Sequence, residues 1–326
     1  MKLKTIVPVL LLVLLLILGC SQSGVSHLSQ ADGGLPPFTS MKGTGTLSPS
    51  QNNHFSFAVF GDSQGDEKSR IMIGKIFEEI NQYQPVRPVF AFCLGDIVKG
   101  KDPQDPTKHI RQKFSDYLEL AKTAGVPVFN TPGNHEMDDA DDIPSERMQK
   151  IYQESVGPTH GSFDYGNSHF IALNTEDVPP AGTPPPPKGV EFSFISDKQL
   201  AQLDKDLEAN RDKTHIFVMM HYPMKPHRRQ DILNPASLKK VINIFKKYDN
   251  IAYVFASHEH LFYNPQDPGN VETVAPFSVG DPTRYLVSGG AGAGIYVDGA
   301  EGGFHHYLII EVDGDKISVK IHKMDG

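Results

Sequence analysis

Cysteine is nearly absent: Cys20 and Cys93 are the only two among 326 residues, so no disulfide framework supports the fold and at most one intramolecular bridge can form. An excess of positive charge is lacking as well. The 31 Lys and Arg against 39 Asp and Glu leave a formal net charge of -8, without the electrostatic footprint of a duplex nucleic-acid binder. A large polyanionic partner is disfavoured, whereas a small phosphorylated substrate is not, because a bound metal can dominate the local charge. No internal apolar run approaches a membrane-spanning helix, and there is no tandem repeat or coiled coil. A Gly-any-Ser-any-Gly elbow is missing, which argues against a serine hydrolase. The glycine-rich Gly289–Gly294 lacks the Lys-Ser/Thr of a P-loop, so close backbone packing is expected there.

What is present begins at the N-terminus. Lys2 and Lys4 precede an apolar run from Ile6 to Leu18, the length of a signal-peptide core and too short to span a bilayer comfortably. Export is expected. Ile17-Leu18-Gly19-Cys20 resembles the lipobox of bacterial lipoproteins; the alternative is an ordinary secretory signal with an incidental cysteine. The resemblance implies that residues 1–20 are a lipoprotein signal peptide and that lipidated Cys20 is the first mature residue, anchored to a membrane. The protein is then extracytoplasmic, lipid-anchored to the bacterial cell envelope, and Ser21 occupies the place of the aspartate that signals inner-membrane retention. Residues 21–54, rich in Ser, Gly, Pro, Thr and Gln, read as a flexible tether. With Cys20 acylated, Cys93 has no partner and reads as a small core residue in the run Val89–Leu94.

The folded unit is expected over residues 55–326. Phe55–Phe60 is a short apolar strand that runs straight into Gly61-Asp62, and Arg70–Tyr83 carries Ile73, Ile76, Phe77 and Ile80 at helical spacing. The pattern repeats: a strand at 89–94 before Gly95-Asp96, a helix from Ile110 to Ala124, then Val126–Asn130 before Gly133-Asn134-His135-Glu136. Further strands are expected at His169–Leu173, Ile216–Met220 and Ile251–Ala256, the last two separated by a helix from about Ala236 to Tyr248. Such alternation indicates an α/β domain. Asp313-Gly314-Asp315, between two strand-like runs, is a hairpin signal and adds an antiparallel contribution. The proline-rich stretch Pro179–Gly189 is expected as an exposed loop at the rim of the site.

Polar clusters follow five of these strands, and ligands of open α/β sheets bind outside the carboxyl ends of strands. In order they offer Asp62 and Gln64, Asp96, Asn134 and His135, His221, and His258 with His260. Two aspartates, three imidazoles and an asparagine are the mixture for divalent ions of intermediate hardness. Gly61-Asp62-Ser63-Gln64, Gly95-Asp96, Gly133-Asn134-His135-Glu136, His221 and His258-Glu259-His260 resemble the five ordered motifs of the calcineurin-like metallophosphoesterases, over roughly residues 55 to 323. Phe163–Gly166, His169–Ile171 and Val287–Gly292 resemble framework segments of the branch that includes purple acid phosphatases.

That resemblance implies a four-layer α-β-β-α sandwich of two mixed sheets flanked by helices, with the metal site at strand C-terminal ends. It implies two divalent metal ions (Mn, Fe, Zn or Mg) and hydrolysis of a phosphomonoester or phosphodiester. It assigns Asp62, Gln64, Asp96 and His260 to one ion and Asp96, Asn134, His221 and His258 to the other, with Asp96 bridging. Two ions roughly 3.5–4 Å apart activate a shared water and clamp the attacking and leaving oxygens of an in-line displacement. His135 faces the substrate, where an imidazole can stabilise the equatorial oxygens or protonate the departing alkoxide; Asn134 also reaches the substrate.

Two departures from the pattern matter. Gln64 stands where the first motif usually has histidine, and a neutral amide oxygen tilts selection towards Mn, Mg or iron over Zn; alternatively Gln64 only hydrogen-bonds a neighbour. No tyrosine follows Asp62, which disfavours a purple Fe(III) enzyme. Arg228 and Arg229, close after His221, are candidate phosphate ligands, with a solvated loop as the competing reading. Asn174 and Glu176 are candidate rim residues. His54, His109, His169, His215, His305, His306 and His322 are expected to cap, pack or face solvent. The other class of function open to this chain is a non-catalytic lipoprotein that keeps the fold as a binding or adhesion module.

Overall fold

Successive side chains of β1 (His54–Phe60) are buried on opposite faces: Phe55, Phe57 and Val59 on one, Ala58 and Phe60 on the other. A strand apolar on both faces belongs to a sheet covered on both sides. The structure is a computed structural model that describes residues 35–100, 109–139, 143–184 and 191–325. Cys20, the expected signal peptide and residues 21–34 of the expected tether lie outside the described residues. No helix among those described is long and apolar enough to cross a membrane.

β1 pairs in parallel with β2 (Pro88–Cys93), and β2 in parallel with β3 (Val128–Asn130). On its other side β1 is antiparallel to β11 (His306–Asp313), followed by β12 (Lys316–Lys323) and β9 (Phe277–Ser278). The second sheet runs β4 (Gly161–Tyr165), β5 (Ser168–Ala172), β6 (His215–Met219), β7 (Ile251–Ala256), β10 (Arg284–Ser288), β8 (Phe262–Tyr263). Strands β5, β6, β7 and β10 are parallel, with antiparallel strands at both edges. Both sheets are therefore mixed. The expected hairpin joins β11 and β12 at Gly314, whose φ of 58 is the left-handed conformation a tight turn needs.

Helices α1 (Glu67–Gln82), α2 (Ile110–Ala121) and α4 (Glu146–Ser155) bury their apolar faces against the outer side of the first sheet. On the second sheet, α5 (Asp197–Ala209) and α6 (Pro235–Phe245) do the same. The result is the expected four-layer α-β-β-α sandwich. Helix α1 starts before the expected Arg70 because the Asp66 carboxylate accepts from the Lys68 and Ser69 backbone N–H groups, capping a turn that carries no apolar signal. Asn234 and Pro235 fix the start of α6 in the same way.

The layer between the sheets is aromatic: the Phe57 ring lies 5.1 Å from Phe90, 5.2 Å from Phe170 and 5.0 Å from Phe217, all four buried. Truncating one such ring costs about 3–5 kcal/mol, and this packing holds the two sheets at a fixed spacing under the site. Cys93 is fully buried and its thiol is pushed up by burial, which keeps it unreactive.

Part of the expected tether is folded onto the domain. Met41 N donates to Ser162 O at 3.3 Å and Thr44 N to Val128 O at 3.0 Å. Phe38 and Met41 are buried there; two apolar anchors suffice to dock a segment whose composition reads as unstructured. The first strand also opens at His54, one residue before the expected start. Of the proline-rich loop, 181–184 are exposed and 185–190 lie outside the described residues.

Candidate metal centre

Strands β1, β2 and β3 are parallel neighbours, so the segments Gly61-Asp62, Gly95-Asp96 and Gly133-Asn134 leave the first sheet at one edge. Strands β6 and β7 deliver His221 and then His258 and His260 from the second sheet. The chain turns sharply at these points. Asp62 (φ 58), Asp96 (φ 55), His258 (φ 74) and His260 (φ 50) are left-handed, leaving His109 as the other non-glycine residue with positive φ among those described. Such backbone costs roughly 1–3 kcal/mol per residue and concentrates at functional sites. Here it is held by hydrogen bonds from Asp62 N to Gly95 O (3.1 Å) and from Ser63 N and Gln64 N to Asp96 O (3.0 and 2.9 Å).

Two groups of donors meet at Asp96. His221 Nε2 lies 3.0 Å from Asn134 Oδ1, 3.2 Å from His258 Nδ1 and 3.5 Å from Asp96 Oδ1. The other carboxylate oxygen, Asp96 Oδ2, is 3.0 Å from Gln64 Nε2, which in turn lies 3.3 Å from His260 Nε2; that nitrogen is 3.7 Å from Asp62 Oδ1. Asp62, Asp96 and His221 each offer a ligand atom within 4.8 Å of one another. Atoms bound to one ion at about 2.1 Å stand about 3.0–3.4 Å apart, and the first group, at 3.0–3.5 Å, and the second, at 3.0–3.7 Å, are close to that spacing.

The protonation pattern asks for a cation. His221 Nδ1 is 3.0 Å from the Leu94 carbonyl and His260 Nδ1 is 2.7 Å from the Gly294 carbonyl, which places the ring proton on Nδ1 in both. The Nε2 lone pairs then face oxygen lone pairs of Asn134, Asp96 and Asp62. Burial holds the His221, His258 and His260 imidazoles below their usual range, hence neutral. Burial also pushes the Asp62 carboxyl well above the carboxylate range, with the Asp96 charge adding to it. For Asp96, burial opposes ionisation, while positive charge on the surrounding histidines and the hydrogen bond that His135 N donates at 3.0 Å favour the carboxylate and hold the group below its usual range. Asp62 Oδ1 and Gln64 Oε1 are buried without a hydrogen-bond partner. Orphaned acceptors of this kind cost about 1–3 kcal/mol each, and a bound cation removes the cost. Gln64 has its nitrogen towards the cluster; an amide turned by 180° would bring its orphaned oxygen there instead.

The backing of the cluster could be read from sequence only in part. Glu136 is buried, and its Oε2 accepts from Asp96 N and Gly133 N, both at 2.9 Å, while Oε1 accepts from Val98 N at 3.1 Å. Its place three residues after Gly133 is the capping-box spacing at the start of α3 (Asn134–Met137), a signal that was available. A Cβ on Gly133 would collide with Asp96 Oδ1 and one on Gly289 with Asp62 Oδ2, so the glycine-rich 289–294 segment is close backbone packing against the cluster, as expected. Ser257, Tyr222, Glu191 and Tyr296 carried no sequence signal. Tyr222 stacks on His258 with centroids 3.9 Å apart, and Tyr296 on His260 at 4.6 Å.

His135 stands at the mouth, its side chain a quarter exposed and its Nε2 4.0 Å from Asp96 Oδ2. Arg228 is also near, over the Tyr296 ring at 5.7 Å, but its Nε is 2.6 Å from Asp231 Oδ2 and 3.8 Å from Glu259 Oε1, so its charge is already met. Arg229 is exposed in the neighbouring turn. Asn174 and Glu176 are fully buried instead of lining a rim, because Asn174 is a hub that accepts from Glu176 N and donates to Asp177. Of the remaining histidines, His169 is clamped between Asp164 and Asp206, His215 binds Gly314 O, and His306 is in the core.

A family model for calcineurin-like phosphoesterases matches residues 55–262. A protein of Arcobacter nitrofigilis, described as a probable glycerophosphodiester phosphodiesterase, is 21% identical over 183 residues, 56% of this chain and 59% of that relative. The match thus spans well under two thirds of the relative. Among solved structures, a dimetal phosphatase from Danio rerio superposes with a TM-score of 0.61 at 15% identity, covering 83% of this chain and 97% of the other. GAP50 of Plasmodium, described as the anchor in the inner membrane complex, gives 0.57 at 15% identity over 83% and 85%. PhoD gives 0.54 at 14% identity over 82% and 65%. At these identities the structures speak for the fold.

Proposed function

Since the chain belongs to the calcineurin-like phosphoesterases, we propose that it hydrolyses a phosphomonoester or phosphodiester bond of a small substrate at the Asp62–His260 cluster. The observation that carries the proposal is the position of Asp96, one oxygen towards His221 and the other towards Gln64. Asp62, Gln64, Asp96 and His260 would hold one divalent ion, and Asp96, Asn134, His221 and His258 a second. Two ions so held supply Lewis acidity and an activated water for in-line displacement.

The protein's own contribution is to keep three imidazoles neutral by burial, so that each presents a lone pair, and to fix the tautomers of His221 and His260 through Leu94 O and Gly294 O. His135, partly exposed beside Asp96, reaches the reacting phosphoryl group and stabilises its oxygens or protonates the leaving alkoxide. With its amide turned so that the oxygen faces the cluster, Gln64 would favour Mn, Mg or iron over Zn as a neutral oxygen donor. The description of the Arcobacter relative brings glycerol phosphodiesters into the set of substrates worth screening. We further propose that lipid on Cys20 anchors the protein outside the cytoplasm; lipid labelling that persists in Cys20→Ser would refute this.

The test is hydrolysis of p-nitrophenyl phosphate and its bis ester by protein loaded with Mn, beside His135→Ala. Turnover that falls by about 100-fold or more in the variant, with fold and metal content retained, is the expected result. Metal-loaded protein that turns over neither ester refutes the proposal and leaves a non-catalytic binding module.

A further inference from the structure

The charge balance at the mouth of the cluster is lopsided. Four side chains combine partial or full exposure with proximity to the donors: His135, Tyr296, Arg228 and Glu191. The cation among them, Arg228, is already paired with Asp231 at 2.6 Å and lies 3.8 Å from Glu259. Glu191 has no lysine or arginine partner among the described residues. Its Oε2 accepts from Asn134 Nδ2 at 3.1 Å and from Tyr222 O–H at 2.8 Å, and lies 3.9 Å from His258 Nε2. Its side chain is 53% exposed, whereas Asn134 and His258 beneath it are buried.

Two hydrogen bonds fix that carboxylate in place. Tyr222, buried and stacked on His258, donates from below. Asn134 turns its oxygen inward to His221 and its N–H outward to Glu191. A phosphoryl oxygen approaching Asn134 from solvent therefore meets the Glu191 carboxylate, either displacing it or lying next to it.

We propose that Glu191 is a specificity-determining residue: its carboxylate beside Asn134, without a lysine or arginine partner among the described residues, disfavours dianionic phosphomonoesters and inorganic phosphate, and leaves monoanionic phosphodiesters as the preferred substrate class. The charge difference is a matter of ionisation, since a monoester loses a second proton near pH 6 and a diester has none to lose. A unit charge a few ångströms away and partly screened by solvent changes the binding of a dianion by about tenfold and that of a monoanion by about threefold. This inference rests on the phosphoester reading of the same cluster.

The experiment compares kcat/KM for p-nitrophenyl phosphate and bis-p-nitrophenyl phosphate at pH 8 in the Mn-loaded full chain and in Glu191→Gln. Removing the charge while keeping an acceptor for Asn134 should raise kcat/KM for the monoester about tenfold through KM, change the diester by about threefold or less, and lower the inhibition constant of inorganic phosphate about tenfold. Equal changes for both esters overturn the inference, as does loss of bound metal in Glu191→Gln, which would make the residue a support for the ligands. Calorimetric binding of inorganic phosphate and of dimethyl phosphate reads the same discrimination without turnover. A wild type that hydrolyses neither ester but binds dimethyl phosphate better than phosphate, with the order levelled in Glu191→Gln, separates failure of the hydrolase reading from failure of this one.

Discussion

His221 Nε2 lies 3.5 Å from Asp96 Oδ1, lone pair against carboxylate, while the opposite oxygen of Asp96 is 3.0 Å from Gln64 Nε2. A single side chain thereby belongs to both donor groups. Asp96→Asn should lose one of two ions and at least about 100-fold in turnover, since a neutral amide cannot bridge two cations. Metal analysis and ester hydrolysis check this; a variant that keeps two ions and wild-type turnover removes Asp96 from the bridging role.

Chelation should act on stability as well as on activity. With Asp62 Oδ1 and Gln64 Oε1 buried without a hydrogen-bond partner, the ion-free protein carries a cost that metal relieves. Saturating the site at about 100 times its dissociation constant adds about 2.7 kcal/mol. A thermal melt in EDTA should therefore shift down, and Mn should restore it. An unchanged melting temperature across both conditions would contradict a metal bound to the folded chain.

Glu136 touches no reacting group yet holds the backbone of Asp96, Val98 and Gly133. Glu136→Ala strands three buried N–H donors and should lower metal affinity by about 10- to 100-fold, as outer partners of ligands commonly do. Glu136→Gln, which retains an acceptor, should recover part of it. Metal titration of the two variants decides the matter: equal affinities in both would show that the hydrogen bonds are irrelevant.

His306 sets part of the acid stability. Fully buried, it is held at about 4 by burial, against 6.5 for the free side chain, so the folded protein keeps it neutral while the unfolded chain protonates it. The unfolded state then binds the extra proton between the two values. Stability is intact above pH 6.5 and falls as pH drops towards 4, by about 3 kcal/mol from this residue, with no further loss below. His306→Phe should flatten that slope, though it weakens the fold at neutral pH because Ser288 and Phe304 O lose their partner. Denaturant melts from pH 7 to 4 that run parallel for the two proteins would disprove the assignment.

Strands β1, β2, β3, β5, β6, β7, β11 and β12 and helices α1, α2 and α6 were legible because burial imposes a period that sequence displays, as in Phe55–Phe60 and in Ile73, Ile76, Phe77 and Ile80, whereas α4 and α5 were not anticipated. Donors placed directly after strands were legible for the same reason, since a strand end is a local event. Less visible was the docking of Phe38 and Met41, two apolar residues in a stretch whose composition reads as a tether. Asn174 and Glu176 misled in the opposite sense: a polar pair after a strand can as well be a buried hub as a rim, and burial is not a local property.

By itself the sequence determined the order of the candidate donors, because residue type and spacing within a turn fix local chemistry. Only the tertiary structure decided that β11 inserts beside β1, that Asp96 faces both donor groups, and that Glu191 closes on Asn134 and Tyr222 from another part of the chain. The physical reason is that these pairings arise from two sheets packing through Phe57, Phe90, Phe170 and Phe217, and no periodicity along the chain records which distant segments such packing brings together.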